Sequence, residues 1–301
     1  MKVLITGIGG FVGPYLKDLL EQEGHEVFGF ERSFHEDVAK VFRGDLLNPE
    51  EVENAVLGSS PDAIVHLAGF SSLKQSFEQP ELCYRINVEG TENLLKACVK
   101  LRKKVKVVIV GSAEAYGKPQ FLPITEDHPL ASTSPYGKSR IDQEKLVEKY
   151  ADRLDIVMMR SFNHTGPTQP PFFAVPDFAK QLIEIEKGLC EPVLHVGNLE
   201  AVRDFSDVRD VVRAYKLAIE KGKSGETYNV CSGKGLSIKE ILLKMIALSG
   251  LEVEIREESG RFRPSEIPIL IGSCDKFKAD TGFVPELSFE KTLRDMLESC
   301  P

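Results

Sequence analysis

The sequence has 301 residues, 42% hydrophobic and 28% charged, which suits one large globular domain or two smaller ones with a real core. A net charge of −8 argues against nucleic-acid and anionic-membrane partners. Six scattered cysteines without a CxxC pair and six dispersed histidines argue against a disulfide frame and a metal centre, and no apolar run has the length of a signal peptide core or a membrane span, so a cytoplasmic protein with reduced thiols is expected.

A short apolar strand, Val3-Leu4-Ile5, ends at Thr6 and runs into glycines spaced by three, Gly7, Gly10 and Gly13. A helical stretch through Leu16, Leu19 and Leu20 follows and stops at Gly24. In a dinucleotide fold, such glycines allow the tight turn, the close approach of a pyrophosphate and tight helix–strand packing; the helix start supplies free N–H groups. The candidate cofactor set opens with these three glycines and with Phe11 and Val12 between them. By itself the triplet also fits an ordinary glycine-rich turn.

Residues 25–30 read as the second strand. Glu31 closes it, where a carboxylate can hold the adenosine ribose, and Arg32 follows, where a cation can clamp a 2′-phosphate. The two also fit a solvated charge pair. A third strand is expected at 40–42, then Asp45 and Leu46, which can frame the adenine. A helix over 49–57 starts from Asn48 as its cap. The fourth strand, 63–67, delivers Leu67, Ala68 and Gly69 to the same edge. A long helix is expected over 81–101 and an almost wholly apolar fifth strand over 105–110, as a parallel sheet covered on both faces requires. Ser112 lies just beyond it. A helix over 135–150 is capped by Ser134, with Pro135 in its first turn. Tyr136 opens that helix, and Arg140 stands one turn on, on the same face. A tyrosine ionises near pH ~10 and a nearby cation lowers that, so Tyr136, Arg140 and Ser112 can exchange a proton with a substrate oxygen. Taken alone, Tyr136 fits a core tyrosine at a helix start better. A sixth strand, 156–159, completes a doubly wound α/β parallel sheet of Rossmann type.

The texture changes after Arg160. Residues 161–176 are rich in proline, threonine and asparagine and read as loop. Helices over 207–221 and 238–248 and a short strand over 252–256 indicate a smaller α+β substrate lobe. The expected division is 1–165 for dinucleotide binding and 166–301 mainly for substrate, with 207–221 packing back on the first unit.

The glycine turn, the segment Gly111-Ser112-Ala113-Glu114-Ala115-Tyr116-Gly117 and Tyr136 at a helix start resemble the extended short-chain dehydrogenase/reductase superfamily. Arg160-Ser161-Phe162-Asn163-His164-Thr165-Gly166-Pro167 resembles its loop into the substrate lobe. The stretch from Gly197 to Phe205, Tyr228-Asn229-Val230-Cys231-Ser232-Gly233 and Arg263-Pro264-Ser265-Glu266 resemble the GDP-mannose branch. The likeness implies NAD or NADP as cofactor, Ser112 and Tyr136 as the catalytic pair, and Asn163, Arg203 and Arg263 on the nucleotide diphosphate or its ribose, with Glu266 on a ribose hydroxyl. It implies reduction of a GDP-4-keto-6-deoxyhexose to GDP-D-rhamnose, a homodimer formed through helices 81–101 and 135–150, and no metal. The branch also holds 4,6-dehydratases, in which a glutamate at the place of Glu114 abstracts a proton, and epimerase chemistry shares the cofactor. A non-catalytic dinucleotide sensor or scaffold is the alternative outside enzymes. It draws on one departure, Arg140 in place of the lysine of Tyr-x-x-x-Lys. Arginine keeps the charge but is larger, so the exchange is not neutral.

Overall fold

The structure, a computed structural model, describes residues 1–33, 40–261 and 267–299. In chain order the first part runs β1 (Lys2–Thr6), α1 (Val12–Gln22), β2 (Glu26–Glu31), β3 (Val41–Arg43), α2 (Pro49–Ser59), β4 (Ala63–His66), α3 (Leu73–Glu78), α4 (Pro80–Tyr84), α5 (Gly90–Lys100), β5 (Lys106–Val110), α6 (Pro135–Glu148) and β6 (Asp155–Ser161). The second part runs β7 (Asn163–Thr165), α7 (Ala174–Glu186), β8 (Val193–Val196), β9 (Val202–Asp207), α8 (Val208–Lys221), β10 (Thr227–Val230), β11 (Gly235–Ser237), α9 (Ile238–Ser249), β12 (Glu254–Glu257), β13 (Ile269–Leu270), α10 (Asp275–Thr281) and α11 (Phe289–Ser299).

Seven strands form one sheet in the order β10-β6-β5-β4-β1-β2-β3, and every pairing in it is parallel. Successive side chains of a strand point to opposite faces, and β1 shows the result. Val3 and Ile5 pack with Leu16 and Leu20 of α1 and with Val211 and Tyr215 of α8. Leu4 packs on the other face with Val52 and Val56 of α2 and Leu94 and Leu95 of α5. With both faces covered, the strands must be apolar throughout, and the expected doubly wound Rossmann sheet is what forms. Chain order reverses between β1 and β4, and ligands of such sheets bind in the crevice at that switch point.

The caps follow their residue types. The Asn48 side chain accepts from the N–H groups of Glu50 and Glu51, and Ser134 accepts from Gly137. Three expectations need correction. The helix over 81–101 is α4 and α5 joined by a π turn at Arg85–Glu89. There the Asn87 amide accepts from Phe70 N and donates to Ser139 Oγ, while Thr91 Oγ1 donates to the Asn87 carbonyl. The supposed loop 161–176 contains β7, which pairs in parallel with β9, and the start of α7. The strand at 252–256 begins later, as β12, and pairs with β8. Strand β10 has no counterpart in the sequence expectations; it returns the chain to the edge of the main sheet beside β6.

Around the second part, α7, α9 and α11 enclose a separate apolar core with Leu194, Val196 and Leu199. The carboxylate of Asp204, fully buried on β9, accepts from Ser232 N, Ser232 Oγ, Gly233 N and Gly272 N. Burial raises its pKa, and those donors act against the rise. One residue thereby ties the turn after β10 and the segment after β13 to the strand that carries Arg203.

Candidate active site

A cleft of about 1230 Å³ runs along the carboxyl ends of β1, β2, β4 and β5 and between the sheet and the second part. It is lined by Gly7, Gly10, Phe11, Val12, Gly13, Glu31, Arg32, Asp45, Leu46, Leu67, Ala68, Gly69, Ser112, Glu114, Tyr136, Arg140, Asn163 and Arg203. Every candidate site residue within the described part thus faces one space. Arg263 and Glu266 lie outside the described residues.

At the turn out of β1, Gly7 has φ +73°, and a Cβ there would lie 2.8 Å from Ala68 N, so conformation and space both require glycine. At Gly13 a Cβ would lie 2.1 Å from Ile8 O, so the start of α1 sits against the turn that leaves β1 more closely than any side chain allows. The first turn of α1 carries no acidic residue and no side-chain cap, so its N–H groups stay available to an anion. These features fit a dinucleotide pyrophosphate. Phe11 stacks against His164 of β7, with centroids 6.3 Å apart and planes 7° apart, and Tyr15 donates to Pro167 O at 2.7 Å. The glycine turn is thereby braced against the second part.

Glu31 is held by backbone. Its Oε2 accepts from Gly9 N at 3.1 Å, and its Oε1 accepts from Arg32 N at 3.0 Å and Ser33 N at 3.4 Å. Gly9, which the sequence reading passed over, therefore orients the carboxylate. Asp45 turns inward on its own loop, where Oδ1 accepts from Leu47 N, and Leu46 is buried against α5.

Ser112 caps the short turn Ala113–Tyr116, accepting from Glu114 N at 3.2 Å, which leaves its own O–H proton uncommitted to that contact. Tyr136 is 7% exposed and Arg140 5%. The Arg140 guanidinium donates through Nη1 to Val110 O and Gln143 Oε1 and through Nη2 to Phe70 O. Its Nε is buried with no partner, an uncommitted donor in the wall of the cleft. Among the described residues no carboxylate pairs with it, since the neighbouring Glu144 is engaged by Arg160 at 2.8 Å. Beyond Arg140 lies His66, fully buried at the end of β4 and bonded to Thr6 Oγ1 at 2.7 Å and Thr91 Oγ1 at 3.1 Å. Burial, and then the charge of Arg140, push its pKa down to about 3, so it is neutral. Nothing in the sequence singled out His66, Asn87, Thr91 or Gln143; a polar residue recurring at buried helical spacing is the signal that could have found the last three.

Toward the second part, Asn163 opens β7, and Arg203 on β9 donates from Nη1 to Val202 O at 2.9 Å. The neighbouring carboxylates Asp204 and Asp207 are engaged with other groups. Asp204 is bound as described, and Asp207 holds Arg209 and Thr292. Phe172, 87% exposed, stands at the rim.

Residues 4–296 match the GDP-mannose 4,6 dehydratase family. The chain belongs to this family. It is similar to GDP-6-deoxy-D-mannose reductase from Pseudomonas aeruginosa, 31% identical over 300 residues that cover 98% of this chain and 96% of the relative. Among solved structures it is similar to RMD from Pseudomonas aeruginosa complexed with NADPH, with TM-score 0.89, 30% identity and coverage of 99% and 98% of the two chains. It is also similar to the UDP-glucose 4-epimerase of Thermus thermophilus in complex with NAD, with TM-score 0.88, 30% identity and coverage of 99% and 98%. Family membership and the seven-stranded sheet bear out the resemblance to short-chain dehydrogenase/reductases. No helix among the described residues is long and apolar enough to cross a membrane.

Proposed function

We propose that this chain reduces the 4-keto group of a GDP-4-keto-6-deoxyhexose, using NADPH or NADH, to give GDP-D-rhamnose. One observation carries the proposal: Ser112, Tyr136 and Arg140 face the same cleft as the glycine cradle and as Asn163 and Arg203. The bound nicotinamide supplies a hydride to the ketone carbon. Tyr136 acts as general acid and gives its phenolic proton to the oxygen that becomes a hydroxyl. Ser112 donates a hydrogen bond to that oxygen with the proton its turn leaves uncommitted. Arg140 holds positive charge behind Tyr136 and lines the cofactor side of the cleft. Asn163, Arg203, Arg263 and Glu266 serve the nucleotide diphosphate, where a planar guanidinium can donate two bonds to one phosphate.

The test is turnover of GDP-4-keto-6-deoxymannose with NADPH and with NADH, followed by assignment of the new stereocentre. Cofactor binding without turnover of any nucleotide sugar overturns the proposal in favour of a sensor or scaffold. A second reading, a 4,6-dehydratase, draws support from Glu114 in the cleft wall and from the family's name. GDP-mannose converted to its 4-keto-6-deoxy product without net cofactor use would establish it, and UDP-glucose epimerised at C4 would establish an epimerase.

The same proposal includes a cytoplasmic setting, in keeping with free thiols at Cys83, Cys98, Cys190, Cys231 and Cys274. It includes a homodimer through α4–α5 and α6, beside which Phe77 and Tyr84 are exposed. It also includes the division into 1–165 and 166–301, with α8 on the cofactor side.

A further inference from the structure

We propose that Gln143 is a positioning residue for the reaction: its amide fixes the Arg140 guanidinium beside Tyr136 and so holds the charge where the acid step uses it. The inference rests on the reductase proposal for its kinetic readout, and a second readout is independent of it.

The donor directions of the buried network leave Gln143 one orientation. Thr91 Oγ1 has a single proton, and that proton goes to the Asn87 carbonyl at 2.7 Å. Thr91 Oγ1 must therefore accept from its two other partners, His66 Nε2 and Gln143 Nε2 at 2.8 Å. With its amide nitrogen so committed, Gln143 can present only Oε1 to Arg140, which donates to it at 2.9 Å. The same logic puts the proton of His66 on Nε2 and makes Nδ1 the acceptor for Thr6, a neutral ring that adds no charge. Thr91 and Gln143 are fully buried, so water cannot replace either bond.

The Gln143 bond is the shortest of the three that hold the guanidinium; those to Val110 O and Phe70 O are 3.2 and 3.4 Å. Without it, a buried cation rests on two long contacts to backbone and is free to leave the Tyr136 ring. The charge that supports proton transfer is then no longer held in one place, so the acid step slows while binding of the keto sugar is left as it was. The other titratable groups around the pair are Glu114 from the turn after β5, Tyr215 of α8, which senses both Tyr136 and Arg140, Cys83 of α4 and the neutral His66 of β4.

The experiment is a double-mutant cycle with Gln143→Met, which keeps the side-chain volume, and Arg140→Met, which removes the charge. The quantities read are kcat per cofactor-binding site, set against KM for the keto sugar, and the cofactor dissociation constant of each protein. Counting sites by cofactor titration leaves unfolded protein out, so partial loss of stability leaves the test intact. Gln143→Met is expected to lower kcat by about fivefold or more with KM within about twofold in the wild-type background, and to lower it by about twofold or less once Arg140 is Met. Equal loss in both backgrounds, or none in the first, overturns the inference and leaves Gln143 a packing residue. If no keto sugar turns over, the reductase proposal fails, and whether Gln143→Met weakens cofactor binding only while Arg140 is present still decides the role of Gln143.

Discussion

The Arg140 guanidinium carbon stands 5.2 Å from the ring centroid of Tyr136, one helical turn away and inside the same buried wall. A cation over an aromatic face is attracted to the ring, and here it also supplies the charge that a lysine would bring. Arg140→Lys keeps that charge but gives up the planar fork that reaches Val110 O, Gln143 Oε1 and Phe70 O at once. The expected loss in kcat is on the order of tenfold or less for Arg140→Lys and about a hundredfold or more for Arg140→Met, within the usual span for proton-transfer assistance. Equal rates for the two variants would show that the charge is not used.

Tyr136→Phe removes only the hydroxyl from a buried ring in the first turn of α6. We expect hydride transfer to drop by about 10²–10⁴-fold while the cofactor dissociation constant stays within about twofold. Single-turnover reduction and cofactor fluorescence read the two separately. Activity within about threefold of wild type would remove Tyr136 from the proton-donor role.

Gly13→Ala places a methyl carbon against Ile8 O, where a Cβ would lie only 2.1 Å away. The helix must move away from the turn, which is expected to cost about 1–3 kcal/mol and to weaken cofactor binding by opening the glycine turn. Gly260→Ala, at a position where a Cβ meets nothing within 4 Å, is the control. Urea unfolding of the two variants side by side checks the difference.

The sheet was legible because each inner strand must be apolar on both faces, so the runs at 63–67 and 105–110 had one reading. The glycine turn was legible because a Cβ at Gly7 or Gly13 would lie 2.8 or 2.1 Å from backbone. What the sequence hid depends on contacts between distant segments. Asn87 interrupts the helix expected over 81–101 only because Phe70 and Ser139 take its amide. Strand β7 exists because β9 offers it an edge. The role of Gln143 follows from where Thr91 sends its proton, which no periodicity reveals. Arg263 and Glu266 were named from motif likeness alone, and no described contact bears on them.

His66 gives the fold a pH dependence of known sign. Its folded pKa, about 3, lies below its ordinary value of 6.5, chiefly through burial. The unfolded chain therefore binds a proton that the folded chain refuses, and stability is fully present above the ordinary value and lost as pH falls below it. The loss approaches about 1.4 kcal/mol per pH unit between the two values. Between pH ~6 and ~4.5, His66→Asn should show a shallower decline in unfolding free energy than wild type by about that slope. Parallel declines would mean that His66 is protonated in the folded protein.

Cofactor choice turns on Glu31 and its neighbour. Three backbone N–H groups, those of Gly9, Arg32 and Ser33, fix the Glu31 carboxylate at the end of β2. It cannot swing away from a ligand without abandoning them. A 2′-phosphate beside it is a like-charge contact, and such contacts are costly in a partly buried site. Arg32, exposed at the same edge of the cleft, offsets part of that cost by pairing with the phosphate or stacking on the adenine. Both cofactors should therefore bind, with NAD(H) favoured by about 1–2 kcal/mol, on the order of tenfold. Glu31→Ser removes the repulsion and leaves Arg32 free to hold the phosphate, so preference should move toward NADP(H) by at least as much. Dissociation constants for the two reduced cofactors, in wild type and variant, decide the matter. If wild type already holds NADPH more tightly than NADH, the Glu31 carboxylate does not oppose the 2′-phosphate, and Arg32 governs this edge of the cleft.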